Sequence, residues 1–151
     1  MEICPGENTS TKAIEKAKEI FKLSGSSIVT VNKEIDGFIL NRLQGALLNE
    51  AMRLYSEGYA SSEDIDATIK DGLGLRWAFM GPFETIDLNA PGGIKDYMAR
   101  YSSIFIEMAK SQTKIPDWSE NAGKKLELER RKVLSEDDLE TVSYTHLTLP
   151  T

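Results

Sequence analysis

The chain is poor in the residues that carry the commonest chemistry. It has one cysteine, Cys4, and one histidine, His146, in 151 residues. A lone cysteine cannot close an internal disulfide, which excludes a disulfide scaffold and fits a cytoplasmic setting. Cys4 stands among apolar neighbours, where a small core residue is more usual than a nucleophile. No group of Cys, His and carboxylates has the spacing of a metal site, so no metal is expected. No apolar run approaches the roughly 20 residues of a membrane-spanning helix. Residues 1–6 lack the basic start and apolar middle of a signal peptide. Positive charge is also short: 18 Lys and Arg face 24 Asp and Glu, for a net charge of −6. Nucleic-acid binding usually leaves a basic footprint, which this balance does not supply. A small anion remains possible as a ligand, because one local arginine can grip a carboxylate on an acidic protein. Missing too is any glycine fingerprint of the dinucleotide-binding kind between a strand and a helix.

The remaining composition is that of a soluble domain, with 40% apolar and 28% charged residues. Residues 1–4 read as a short strand stopped by Pro5-Gly6. A helix follows from about Ser10 to Leu23, capped by Thr9 or Ser10. Ala13, Ile14, Ala17, Ile20 and Phe21 form its stripe, expected to be buried. Gly25 is placed to end it. Residues 28–31 are β-branched and read as a second strand, giving a βαβ unit with parallel strands. Two strands alone are poorly stable, and nothing else in the chain offers a larger sheet.

From Gly37 onward the pattern is helical. Ile39, Leu40, Leu43, Leu47, Ala51 and Leu54 follow three-and-four spacing up to Gly58. Ser61 or Ser62 caps the next helix, which the glycine at 72 should end. Residues 72–77 then form a glycine-bounded loop, and Pro82 opens a short helix. Gly92-Gly93 breaks the chain before an apolar stripe of Ile94, Tyr97, Met98, Tyr101, Ile104 or Phe105, and Met108. A charged helix from about Ser119 to Val133 follows Pro116. Its Lys124, Lys125, Arg130 and Arg131 alternate with Glu127 and Glu129, as a solvated face does. Residues 143–151 carry no charged residue and suit neither neighbour. They read as a non-native appendage or a disordered terminus, so His146 is rejected as a base or ligand.

Three polar residues stand out. Glu2 in an apolar strand is either solvated at a frayed terminus or paired, since burial without a partner is costly. Asn41 is either an exposed filler or, beside Phe38, Ile39, Leu40 and Leu43, an amide at the edge of a buried surface that polarises a substrate carbonyl. Arg76, among Trp77, Phe79 and Met80, is either a structural arginine or a carboxylate clamp. Arg42 is an ordinary surface side chain or an interdomain ion pair. A phosphate cradle at residues 72–77 lacks the preceding strand that such cradles need.

Two motifs resemble a known family. Phe38-Ile39-Leu40-Asn41-Arg42-Leu43 and Gly81-Pro82-Phe83-Glu84 are similar to the carboxyl-terminal domain of the 3-hydroxyacyl-CoA dehydrogenase superfamily. Together the motifs resemble its lambda-crystallin and L-gulonate 3-dehydrogenase branch, and Leu75-Arg76-Trp77-Ala78-Phe79 resembles the lambda-crystallin and carnitine dehydrogenase branches, which act on small free hydroxy acids. Glu2-Ile3-Cys4-Pro5 looks like the family's Val-Glu-x-x-Pro segment. The resemblance covers roughly residues 2–140. It implies a mainly α fold, a helical domain like the carboxyl-terminal domain of 6-phosphogluconate dehydrogenase, preceded by a βαβ remnant of a Rossmann sheet. The implied divisions are 1–34 for the remnant, 35–141 for the helical substrate-binding and dimerisation domain, and 142–151 for the tail. It further implies oxidation of a 3-hydroxy acid or 3-hydroxyacyl thioester to the 3-oxo form with NAD. Glu2 would orient a catalytic histidine upstream of this chain, and Asn41 would lie at the active site. A homodimer through the helical domain is implied as well. The chain is expected to be a fragment without turnover of its own. The alternative is a free-standing helical dimerisation or ligand-binding module.

Overall fold

A computed structural model describes residues 1–139. The expected tail at 142–151 and its His146 lie outside the described residues. The elements run β1 (Glu2–Ile3), α1 (Thr11–Leu23), β2 (Val29–Thr30), α2 (Phe38–Ser56), α3 (Ser62–Ala67), a π-helical segment (Thr68–Gly74), α4 (Leu75–Trp77), α5 (Pro82–Leu88), α6 (Gly93–Ser111) and α7 (Glu120–Val133). The chain is mainly helical with one small parallel sheet, as the sequence predicts. It forms two compact units, Met1–Leu48 and Asn49–Thr151. The division falls inside α2, whereas the sequence reading places it between residues 34 and 35. No described helix is long and apolar enough to cross a membrane.

The first unit holds the βαβ turn. β1 and β2 pair in parallel, with Glu2 opposite Val29 and Ile3 opposite Thr30. Ser10 is extended and its Oγ accepts from the Ala13 amide at 3.2 Å, which satisfies one orphan donor of α1. Gly25 closes α1 at φ +77°, a left-handed conformation that favours glycine. The expected burial of the α1 stripe is not realised. Ile14, Ala17 and Phe21 are half-buried, while Ala13 and Ile20 are exposed. A sheet of two short strands is too narrow to cover a helix face of 13 residues. Val31, just past β2, is the buried apolar residue of this unit.

The second unit has Met52, Tyr55, Ala90 and Ala122 as its buried apolar residues. Here the α2 stripe needs correction. Leu47, Ala51 and Leu54 are only half-buried, and Ile39, Leu40 and Leu43 are exposed. The deepest positions of α2 are instead Met52, Arg53 and Tyr55. Two of these are polar, and they go inside because each finds partners there. Arg53, 8% exposed, pairs with the Glu50 carboxylate one turn earlier. Its Nη2 donates to the carbonyl of Gln112 at 3.1 Å and that of Lys114 at 2.7 Å. One guanidinium thus satisfies carbonyls at and beyond the end of α6. Tyr55 donates its hydroxyl to Glu129 Oε1 at 3.0 Å, and Ser62 donates to Glu129 Oε2 at 3.1 Å. Glu129 therefore ties α2 and α3 to α7, with Arg130 and Asp66 paired beside it at 3.1 Å. The expected solvated face of α7 holds for Lys124 and Lys125, which are exposed, but not for Glu129 and Arg130, which are half-buried. Trp118 Nε1 donates to Asn49 Oδ1 at 3.0 Å.

Truncating Arg53 leaves Glu50 and two carbonyls without their donor. Arg53→Ala is expected to cost about 3 kcal/mol, as breaking a largely buried ion pair does. Arg53→Lys should recover only part of this, because an ammonium lacks the planar fork. Chemical denaturation followed by circular dichroism measures both. A second expectation concerns acid. The Tyr55 hydroxyl bond is the main cause that holds the Glu129 carboxyl below the ordinary glutamate range. A carboxylate lowered in the folded state stabilises above its unfolded pKa, and that contribution fades as pH falls through the folded value. Tyr55→Phe should therefore flatten the loss of stability below the ordinary glutamate range, with little change in slope near neutrality. Thermal melts across an acid pH series read this difference.

Candidate functional site

In the first unit the structure brings Glu2 to the start of α2. Glu2 is half-buried rather than frayed, and its Oε1 accepts from the amides of Ile39 at 3.0 Å and Leu40 at 3.1 Å. An anion belongs at this place, because the first amides of a helix have no partner within it and carry partial positive charge. The backbone leading to those amides is unusual. Gly37 has φ +81° and Phe38 has φ +49°. For phenylalanine the left-handed conformation costs roughly 1–2 kcal/mol, which the surrounding bonds must offset. The left-handed Phe38 and the role of the Ile39 and Leu40 amides were not legible in the sequence. The single local signal was Gly37 itself, one residue before the helix.

Asn41 follows Leu40 directly. The structure leaves it exposed instead of at the edge of a buried surface. Its apolar neighbours Phe38, Ile39, Leu40 and Leu43 are exposed too. No partner for the Asn41 side chain occurs among the described residues, so its carbonyl and amide are open to a ligand. Arg42 is likewise exposed and makes no ion pair among the described residues.

In the second unit Arg76 is also exposed, beside Leu75, Trp77 and Phe79, the last 87% exposed. It makes no ion pair among the described residues. The expected loop at residues 72–77 is instead helical. The chain passes from α3 through the π-helical segment straight into α4, without a stop at Gly72. Gly74 serves close approach here, not a left-handed turn, while a Cβ on Gly72 would meet nothing within 4 Å. A Cβ on Gly74 would lie 2.9 Å from the Ile69 carbonyl oxygen, so only glycine lets the widened turn close. Such π turns are common at functional sites because they rotate the following residues to a new face. Beyond α4, Glu84 Oε2 accepts from the Gly81 amide at 2.6 Å and Pro82 opens α5, as the sequence predicts. Asp87 Oδ1 then accepts from the Ile94 amide at 2.7 Å, and Gly93 turns at φ +70° into α6. The Arg100 guanidinium, bonded to Asp96 at 2.7 Å, holds that carboxyl below its usual range. Between α5 and α6 lies an apolar groove of about 510 Å³, lined among others by Phe83, Ile86, Tyr97, Met98 and Phe105.

After β1 the Gly6 amide donates to Thr9 Oγ1 at 3.0 Å and the Ala13 amide to Ser10 Oγ at 3.2 Å. No group of three or more His, Cys, Asp or Glu suited to a metal occurs among the described residues. Gly74→Ala, by contrast, tests a feature that the structure does contain. The added methyl meets backbone, which cannot give way as a flexible side chain can. The expected cost is about 1–3 kcal/mol, as for other overpacked sites. Urea denaturation of the variant, with Gly72→Ala as the unhindered control, measures it.

Comparison with known proteins agrees with the helical fold. The family model described as 3-hydroxyacyl-CoA dehydrogenase, C-terminal domain, matches residues 37–133. Lambda-crystallin of Oryctolagus cuniculus is 44% identical over 119 residues, which is 79% of this chain and 37% of that protein. L-carnitine dehydrogenase of Pseudomonas putida is 42% identical over 102 residues, 67% of this chain and 32% of that protein. The chain thus spans about a third of the length of the curated relatives it matches. A solved NAD+-dependent dismutase, 5-formyl-3-hydroxy-2-methylpyridine 4-carboxylic acid 5-dehydrogenase, shares the fold with a TM-score of 0.62 at 24% identity, over 91% of this chain and 50% of that one. With its helical architecture, its Phe38–Leu43 and Gly81–Glu84 segments and a match over most of its length, the chain belongs to the 3-hydroxyacyl-CoA dehydrogenase family, through its carboxyl-terminal domain.

Proposed function

We propose that this chain is the substrate-side portion of an NAD-dependent dehydrogenase that oxidises the 3-hydroxyl of a small free hydroxy acid. The observation that carries the reading is the exposed Asn41 in the first turn of α2, directly after the two amides that hold Glu2. An amide there can donate to a substrate oxygen as it gains carbonyl character. Glu2 uses one carboxylate oxygen on α2. Its Oε2 has no bond among the described residues and is available to orient the histidine that the family resemblance implies. Such a carboxylate fixes the tautomer and orientation of an imidazole base. Arg76, charged and next to exposed aromatic side chains, suits a substrate carboxylate. Carnitine is itself a small 3-hydroxy acid, so the likeness to L-carnitine dehydrogenase supports a free acid over a long acyl thioester.

In this reading the cofactor cradle and the histidine base both come from outside the described residues, and the chain has no turnover by itself. NAD would be held outside the described residues, by the nucleotide-binding domain that the family resemblance implies. The apolar face of α6, with Met98, Tyr101, Ile104 and Met108 exposed, is the proposed contact with a second copy. A site closed by further protein would operate in the cytoplasm on a soluble substrate.

A chimera tests this reading. The part of the Pseudomonas putida L-carnitine dehydrogenase that precedes its matched segment is joined to this chain. NADH formation is then followed with carnitine and other small 3-hydroxy acids. The expected result is turnover, with Asn41→Ala lowering kcat about 100-fold, as removal of one oxyanion donor does. Arg76→Ala should act mainly on KM. A well-folded chimera that binds NAD yet oxidises none of these acids would favour the module without catalysis.

A further inference from the structure

We propose that Glu2 is a positioning residue for Asn41: its carboxylate holds the left-handed start of α2 and so sets the direction from which Asn41 enters the site. The inference rests on the substrate role proposed for Asn41, but its geometry is independent of that role. Gly37 and Phe38 are consecutive left-handed residues. Successive backbone amides next to left-handed residues can form a concavity that binds an anion. Here the amides of Ile39 and Leu40 converge on the same atom, Glu2 Oε1. A charged acceptor strengthens both bonds relative to a neutral one.

Glu2 can act as an anchor because its own strand is held. The Val29 amide donates to the Met1 carbonyl at 2.9 Å, and the Val31 amide to the Ile3 carbonyl at 2.8 Å. Val31 is buried at 3% exposure, so the sheet gives the carboxylate a fixed origin. The turn in turn abuts the residue to be aimed. A Cβ on Gly37 would stand 3.6 Å from Asn41 Cβ and 3.5 Å from Arg42 Cγ. Without the carboxylate, two helix amides lose their acceptor and Phe38 has no reason to stay left-handed. The helix would then start later, and Asn41, one residue past the bonded amides, would leave its place. This role is distinct from orientation of an imidazole, which Glu2 would perform through its other oxygen.

The test combines Glu2 with Phe38. Glycine or asparagine at position 38 accepts the left-handed conformation far more readily than phenylalanine. In nuclear magnetic resonance spectra of this chain, Glu2→Gln should shift the Ile39 and Leu40 amide protons, which then lose a charged acceptor. Glu2→Ala should displace the Asn41 signals and lower the helical population at residues 39–41. Phe38→Gly, with Phe38→Asn as the second variant, should restore them in the Glu2→Ala background. In the chimera, Glu2→Ala should lower kcat/KM about 100-fold, the cost of a misplaced group, and Phe38→Gly should return about tenfold of it. Asn41 signals unmoved by Glu2→Ala would overturn the inference, as would a kinetic loss that neither substitution at 38 relieves. If the spectra follow the expectation while every chimera is inactive, the positioning role stands and the dehydrogenase reading falls.

Discussion

The second unit depends on a guanidinium kept out of water. Arg53 sits on the last turns of α2, paired with Glu50 and bonded to two carbonyls where α6 gives way to the irregular segment before α7. Those carbonyls have no partner within a helix, and the arginine is the donor that completes them. The arrangement places a charge where an apolar residue would be expected. Bonds from both Nη atoms to polar partners offset much of the desolvation, while the buried Nε has no partner among the described residues. Tyr55 and Glu129 repeat the logic on the neighbouring face. A half-buried carboxylate there collects two hydroxyls and joins three helices.

The first unit depends on a single carboxylate in the same way. Its apolar surface is largely uncovered, with no buried residue on α1 and a sheet of two strands. What connects β1 to α2 is the pair of amide bonds to Glu2. Here electrostatics at a helix start does the work that burial does elsewhere. The same atoms bring the sheet next to Asn41, the residue on which the functional reading turns.

The sequence was a good guide wherever the cause was local. Ser10 and Ser61, each one of two candidate caps in the sequence, cap helices because a short hydroxyl side chain before the first turn accepts a free amide. Pro82 and Glu84 start α5 for equally local reasons. It misled where the cause was a distant partner. Spacing assigned the burial of α2 to leucines, but Met52, Arg53 and Tyr55 go inside because Gln112, Lys114 and Glu129 meet the polar two there. At Gly72 and Gly74 a helix end was expected from the glycines. The chain instead widens into a π turn, which glycine permits by lacking the atom that would strike Ile69.

By itself the sequence determined the helical class, the βαβ start, the caps and the family motifs around Asn41, Arg76 and Pro82. These depend on the periods of helix and strand and on residue types within one turn of each other. Only the tertiary structure decided that Glu2 bonds to α2, that Phe38 takes a left-handed backbone, and that Asn41 and Arg76 stand open on the surface. Such features arise from contacts between residues far apart in the chain, as the 37 positions between Glu2 and Ile39 illustrate. No pattern along the sequence encodes which distant amide a carboxylate will meet, because that is set by where the strand and the helix come to lie.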